Sequence, residues 1–288
     1  MVPGITLRHG FVTANGVRLH YVEAGAGPPV LLLHGFPEFW YSWRRQIPAL
    51  AGAGLRPIAL DLRGYNQSDA PRGAWHYRVS VVLDDLAGVI RHVCRGPAFV
   101  VGHDWGGGLA WLLAARSPEL VRKLAVLNAP HPARFKQAIE SDWGQWLRSS
   151  YMLFFQFAGL AEWLIGASDF RAFDRMWTDE PVHEGAFSPQ DIAFYKKVFR
   201  RPGALTGPLN YYRAVFRYPH DLEKAPHGVP TPTLLLWGKR DRYLGVDLSQ
   251  GLEHWAPDLR VERFDASHWL QNDVPERVNE ALVNFFRS

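Results

Sequence analysis

The chain reads as an α/β protein with a mostly parallel central sheet flanked by helices and interrupted by one all-helical insertion. Three observations carry that reading. Short apolar runs of strand length alternate with helical stripes from about residue 29 to residue 127, the pattern of crossover connections in a parallel sheet. The alternation lapses between about residues 130 and 219, where the pattern is helical and aromatic, and it returns at Thr233. Polar and glycine-rich segments follow the ends of the apolar runs, which is where open sheets of this kind collect their ligand sites. The expected division is a core built from residues 1–131 and 218–288, with residues 132–217 as an inserted helical cap.

Composition sets outer bounds. With 288 residues, 47% of them hydrophobic, the chain has ample core for one substantial domain carrying an insertion. The net charge of +4 comes from 32 basic residues scattered among 28 acidic ones, which argues for a solvated surface and against a nucleic-acid partner. One cysteine, Cys94, excludes an internal disulfide, and its place at the end of a helical pattern suits a packed thiol. The opening residues lack the apolar centre of a secretory signal, and no run approaches the roughly 20 apolar residues that span a bilayer. A cytoplasmic protein without a membrane partner, monomer or homodimer, is expected.

The elements follow in order. Two short runs, Phe11-Val12-Thr13 and Val17-Arg18-Leu19-His20-Tyr21-Val22, flank Ala14-Asn15-Gly16 and predict a hairpin at an antiparallel edge. Pro29-Val30-Leu31-Leu32-Leu33 suits a strand covered on both faces and ends in His34-Gly35-Phe36-Pro37-Glu38. A helix through Trp43 and Ile47 leads to a buried strand, Arg56-Pro57-Ile58-Ala59-Leu60, whose polar exit begins Asp61-Leu62-Arg63-Gly64-Tyr65. Residues 80–93 form a helical stripe through Val82, Leu83, Leu86, Val89, Ile90 and Val93, with Asp84 and Asp85 expected to complement its positive end. Ala98-Phe99-Val100-Val101 and Leu124-Ala125-Val126-Leu127 are further strands. In the insertion, Ser188-Pro189-Gln190-Asp191 caps a helix. Strands at 233–237 and 259–264 and a helix at 275–286 complete the chain.

The chemistry centres on Gly102-His103-Asp104-Trp105-Gly106, between a strand and a helix. A glycine-flanked residue at such a junction is a nucleophile elbow, a sharp turn that pushes the middle side chain out above the sheet edge. Here that side chain is Asp104. A serine attacking an sp3 carbon would leave an ether that water does not readily split, whereas an aspartate leaves an ester whose carbonyl can be hydrolysed. The hydrolytic step needs a base held in the useful tautomer. His268 follows the last strand and Asp241 the one before it, so the order Asp104, Asp241, His268 is that of nucleophile, acid and histidine in this kind of sheet. Asn128, at the other strand end that suits an orienting acid, is uncharged and less suited, and Asp265 reads as a turn residue. Backbone N–H groups of Phe36 and Trp105 are the expected oxyanion donors, and His34 and His103 read as loop-fixing side chains.

Together, His34-Gly35-Phe36-Pro37-Glu38, Asp61-Leu62-Arg63-Gly64-Tyr65, Gly102-His103-Asp104-Trp105-Gly106-Gly107 and Ser267-His268-Trp269 resemble the epoxide hydrolases of the α/β-hydrolase superfamily, from about Val17 onward. The resemblance implies an α/β-hydrolase fold with a helical cap after strand six, no cofactor or metal, and a cis peptide before Pro37. It also implies conversion of an epoxide to a vicinal diol through an aspartyl ester. Two cap tyrosines of the family protonate the epoxide oxygen, and Tyr151 and Tyr212 resemble them by local context. A phenol with a pKa near 10 stays protonated at neutral pH and suits that role. Both tyrosines also lie on apolar stripes (Trp143, Leu147, Tyr151 and Leu209, Tyr212, Phe216), and Tyr211 competes with Tyr212, one residue and about 100° of helix away. The aromatic cap suggests apolar aryl or alkyl epoxides, with water as co-substrate. The chain also resembles haloalkane dehalogenases, which Trp105 does not separate, although Phe36 and the two tyrosines favour an epoxide. A non-catalytic ligand-binding protein on the same scaffold is a third reading.

Overall fold

The computed structural model describes residues 5–223 and 228–288. Its strands are β1 (Arg8–Ala14), β2 (Val17–Glu23), β3 (Pro29–Leu33), β4 (Arg56–Leu60), β5 (Ala98–His103), β6 (Val121–Leu127), β7 (Thr233–Gly238) and β8 (Leu259–Phe264). They form one sheet in the order β1-β2-β4-β3-β5-β6-β7-β8. β2 runs antiparallel to both β1 and β4, and every other pair is parallel. The β1–β2 hairpin closes on Asn15 and Gly16 at φ of 47° and 76°, the left-handed pair whose twist matches that of the strands.

The helices are α1 (Gln46–Gly52), α2 (Val79–Val89), α3 (Trp105–Arg116), α4 (Pro132–Ser141), α5 (Trp143–Ser149), α6 (Tyr151–Phe154), α7 (Leu160–Thr178), α8 (Pro189–Phe199), α9 (Thr206–Arg217), α10 (Pro219–Glu223), α11 (Leu270–Asp273) and α12 (Pro275–Arg287). Side chains alternate across each strand, so β3 sends Leu31 and Leu33 to one face with α2 and α3, and Val30 and Leu32 to the other with α1 and α12. That two-sided burial explains why the central strands are continuous apolar runs. Helices α4 to α10 lie between β6 and β7 and contribute Phe173, Trp177, Tyr195 and Leu209 to the second of these cores. At the start of α8, the Ser188 hydroxyl accepts the Asp191 N–H and the Asp191 carboxylate accepts the Ser188 N–H, the reciprocal cap its sequence predicts. Cys94 is buried, and burial pushes its thiol up to about 12, as suits a packing residue.

Two expectations differ from the structure. Asp84 and Asp85 do not act as a pair on the α2 dipole: Asp84 meets Arg116 at the surface, whereas Asp85 takes a buried bidentate bond from Arg63, which also donates to the His76 carbonyl. The partner arrives from the loop after β4, so helical spacing had no bearing on it. Trp143 and Leu147 are 67% and 51% exposed, because α5 turns Gln145 and Ser149 inward instead. The inward face of that helix is polar because it grips backbone groups of the core.

Asp85→Ala strands the Arg63 guanidinium, whose side chain is 2% exposed, without its counter-charge. Urea unfolding of that variant is expected to show a loss of about 3–5 kcal/mol, and a loss below about 1 kcal/mol would show that the charge is solvated.

Candidate active site

Strand β5 passes into α3 through Asp104, which sits at φ 51° and ψ −120°. The turn is possible because its flanks are bare. A Cβ on Gly102 would lie 2.3 Å from the Gly106 carbonyl oxygen, and one on Gly106 would lie 2.1 Å from that of Leu33. Asp104 is thereby lifted above the sheet at the positive end of α3, where a carboxylate is favoured. The Phe36 N–H, in the loop after β3, donates to Asp104 Oδ1 at 2.8 Å, and the Phe36–Pro37 peptide is cis, as the sequence resemblance implies. Trp105 is the first residue of α3, so its N–H is one of the amides a helix leaves without an internal acceptor.

The loops after β7 and β8 bring the other two predicted groups to this point. His268 Nδ1–H donates to Asp241 Oδ2 at 2.6 Å, and Nε2 stands 3.7 Å from Asp104 Oδ2. The carboxylate of Asp241 is saturated: Oδ1 accepts the N–H groups of Tyr243 at 2.8 Å and Leu244 at 2.9 Å, while Oδ2 also accepts Asn128 Nδ2. Burial alone would lower the His268 pKa, but the charge and hydrogen bond of Asp241, with the charge of Asp104, carry it up to about 9. Burial likewise opposes ionisation of Asp241, and the charge and hydrogen bond of His268 overcome it and hold that carboxyl below its usual range. Asn128 is not the orienting group. It is a brace behind Asp241, with its own Oδ1 taking the Gly238 N–H at 2.8 Å.

Neither of the other two histidines faces Asp104 as His268 does. His34 Nδ1 meets the Gly35 carbonyl at 2.9 Å and Nε2 accepts the Leu62 N–H at 3.2 Å, with burial holding its pKa down. His103 bridges the buried Glu38 carboxylate, at 3.0 Å, and the backbone carbonyl of His268, at 2.9 Å. Asp265 is exposed and binds Arg240.

Two cavities, of about 140 and 230 Å³, meet at Asp104, Tyr151 and Tyr212. The smaller is walled by Leu109, Leu112, Met152 and Leu222, and the larger by Phe36, Phe155, Phe173 and His268. Tyr151 comes from α6 and Tyr212 from α9, and burial, reinforced by the charge of Asp104, pushes both phenols above their ordinary range. Tyr211 faces away. Its hydroxyl donates to the Arg63 carbonyl at 3.0 Å and its ring packs on Tyr65 and Tyr77. Sequence reasoning did not find Tyr243, Gln145 or Glu180, which meet at the Asp241 loop; the N–H bond from Tyr243 back to Asp241 is a local turn that spacing could have suggested, but the other two arrive from 60 or more residues away.

A family model described as the alpha/beta hydrolase fold matches residues 28–274. An AB hydrolase superfamily protein, YfhM, of Bacillus subtilis is 39% identical over 96% of this chain and 97% of its own length. Epoxide hydrolase 4 of Homo sapiens is also 39% identical, over 95% of this chain and 76% of its own. Among solved structures, the Bacillus megaterium epoxide hydrolase in complex with an inhibitor is 32% identical and superposes with a TM-score of 0.89, covering 97% of this chain and all of the other. The chain belongs to the α/β-hydrolase fold family and, within it, to the epoxide hydrolases.

Proposed function

We propose that the protein hydrolyses apolar epoxides, aryl or alkyl, to vicinal diols through an ester on Asp104, with residues 132–217 serving as the cap over the site. The observation that carries this reading is the division of labour at Asp104: Oδ1 is held by the Phe36 N–H, while Oδ2 faces His268 beneath two phenols. The free oxygen, Oδ2, is the attacking atom. It displaces the epoxide oxygen from a ring carbon, forming the C–O bond of the ester as the ring C–O bond breaks. Tyr151 and Tyr212, kept protonated by burial, donate to that oxygen as it becomes an alkoxide, and one of them transfers its proton. Apolar substituents occupy the two cavities on either side.

In the second half, His268 takes a proton from water, whose oxygen attacks the ester carbonyl carbon of Asp104. The negative charge then gathers on Oδ1, which already accepts the Phe36 N–H, with the Trp105 N–H at the start of α3 as the second proposed donor. Collapse breaks the ester C–O bond: the departing alkoxide takes the proton of the newly added hydroxyl to complete the diol, and a solvent oxygen stays in the carboxylate. His268 is left protonated as at the start, and the phenolate has been restored by the proton that His268 sheds when the ester forms. Phe36 presents a ring among Phe155, Phe173 and Tyr212, with no side-chain donor for a departing halide, which weighs against dehalogenation.

The charges switch in step with the chemistry. While Asp104 is ionised, His268 sits near 9 and is protonated at neutral pH. Ester formation erases a negative charge 3.7 Å from Nε2, so the imidazole pKa falls in the intermediate and a neutral base becomes available when water must be activated.

Three outcomes test this reading. With styrene oxide, His268→Gln should accumulate protein heavier by one whole epoxide, localised to Asp104 by peptide mass spectrometry; absence of that adduct, with no heavy oxygen entering Asp104 during turnover of the wild type in labelled water, would remove the ester. Tyr151→Phe with Tyr212→Phe should cut ring opening by about 100-fold or more while leaving circular dichroism unchanged, and wild-type turnover would exclude the phenols. Asp104→Asn, a neutral mimic of the ester, should move the His268 imidazole titration in NMR below about 9, and in the wild type the rate of ester breakdown should rise with pH about that lower midpoint; a midpoint that stays put would mean that the Asp104 charge does not act on the base.

A further inference from the structure

The loop that carries the orienting acid is gripped from the cap at two points. Gln145, on α5 and 1% exposed, donates through Nε2 to the Tyr243 carbonyl at 2.8 Å and accepts the Gly245 N–H through Oε1 at 3.0 Å. Glu180, two residues past the end of α7, accepts the Tyr243 hydroxyl at 2.8 Å through Oε1, and its Oε2 is buried without a hydrogen-bond partner among the described residues. Tyr243 joins these contacts to the chemistry. Its N–H is one of the two amides on Asp241 Oδ1, and its ring stands edge-on to His268, with centroids 5.4 Å apart and planes at 69°. Tyr243 lines the larger cavity with Tyr151 and Tyr212, yet its hydroxyl is committed to Glu180.

We propose that Gln145 and Glu180 are positioning residues for the acid and base: from the cap they fix the 241–245 loop, so that Asp241 and the Tyr243 ring hold His268 on line for water activation. The consequence is selective, because ring opening uses Asp104 and the phenols of Tyr151 and Tyr212, whose contact with this loop is the edge-on packing of the Tyr151 ring on that of Tyr243 at 5.9 Å, which Tyr243→Phe retains, whereas ester hydrolysis uses His268. A carboxylate with one bonded and one stranded oxygen is a costly way merely to fill space, since the stranded oxygen loses its hydration. The bonded oxygen holds the phenol of Tyr243.

The inference rests on the ester mechanism proposed above, and single-turnover kinetics with styrene oxide separate the two. Rapid quench with intact-protein mass measurement gives ester formation and ester breakdown independently. In Tyr243→Phe, Glu180→Ala and Gln145→Ala, formation is expected to stay within about twofold of wild type, while breakdown falls about tenfold and ester accumulates at steady state. Glu180→Gln keeps an acceptor for the phenol and is expected to recover most of the loss seen in Glu180→Ala, which a general loss of stability would not produce. Wild-type breakdown in Tyr243→Phe, an equal fall of both steps, or no recovery with Gln would overturn the proposal. Failure to trap any ester in His268→Gln would instead overturn the mechanism beneath it, whereas ester trapped in His268→Gln but not in Tyr243→Phe would overturn this inference alone.

Discussion

One carboxylate, lifted out of the sheet and left half satisfied, governs the rest of the structure. To act as the proposed nucleophile, Asp104 needs positive potential nearby but must keep one oxygen free to react. The end of α3 and the Phe36 N–H provide the first on the Oδ1 side, and His268 at 3.7 Å adds to it without closing off Oδ2. Everything close to that residue is arranged around the turn that holds it. The glycines at 102 and 106 allow two backbones to come nearer than any side chain would permit, and this close approach is what brings the loop after β3 within reach of the carboxylate.

The imidazole is bound into the same electrostatic balance. Its orienting partner, Asp241, spends all of its accepting capacity on four donors, so the Asp241–His268 bond has little freedom to rearrange. What varies during the proposed reaction is the third charge, on Asp104. In the proposed mechanism a single change of bonding there serves as both chemical step and switch, since the charge that keeps His268 protonated before ring opening is the one that the ester removes.

The cap has two functions in this scheme. It encloses an apolar space and contributes two phenols, which requires aromatic residues facing inward. It also anchors to the core through polar contacts: Arg44 with Asp191, and Gln145 and Glu180 with the Asp241 loop. Part of the aromatic face was visible in the chain as helical stripes, at Tyr151, Leu209 and Tyr212, although Trp143, Leu147 and Phe216 on the same stripes are exposed. The polar anchors were not, because each joins groups far apart in sequence and neither partner advertises the other.

The sequence by itself determined the layered α/β architecture, since apolar runs of strand length must be covered on both faces and helices between them do the covering. It also carried the chemistry proposed at Asp104, because only glycine tolerates the crowding on either side of that turn and only a carboxylate among the elbow nucleophiles gives a cleavable adduct at sp3 carbon. Tertiary structure alone decided which of two adjacent tyrosines faces the site: residues 211 and 212 are equally apolar in pattern, and the rotation of α9 against the core separated them. It decided as well that Asn128 braces Asp241 in place of substituting for it, that Asp85 is a buried counter-ion, and that Trp143 points to solvent. Local periodicity records which residues prefer burial, but the partner of a buried polar group is set by the packing of elements that meet only when the chain has folded.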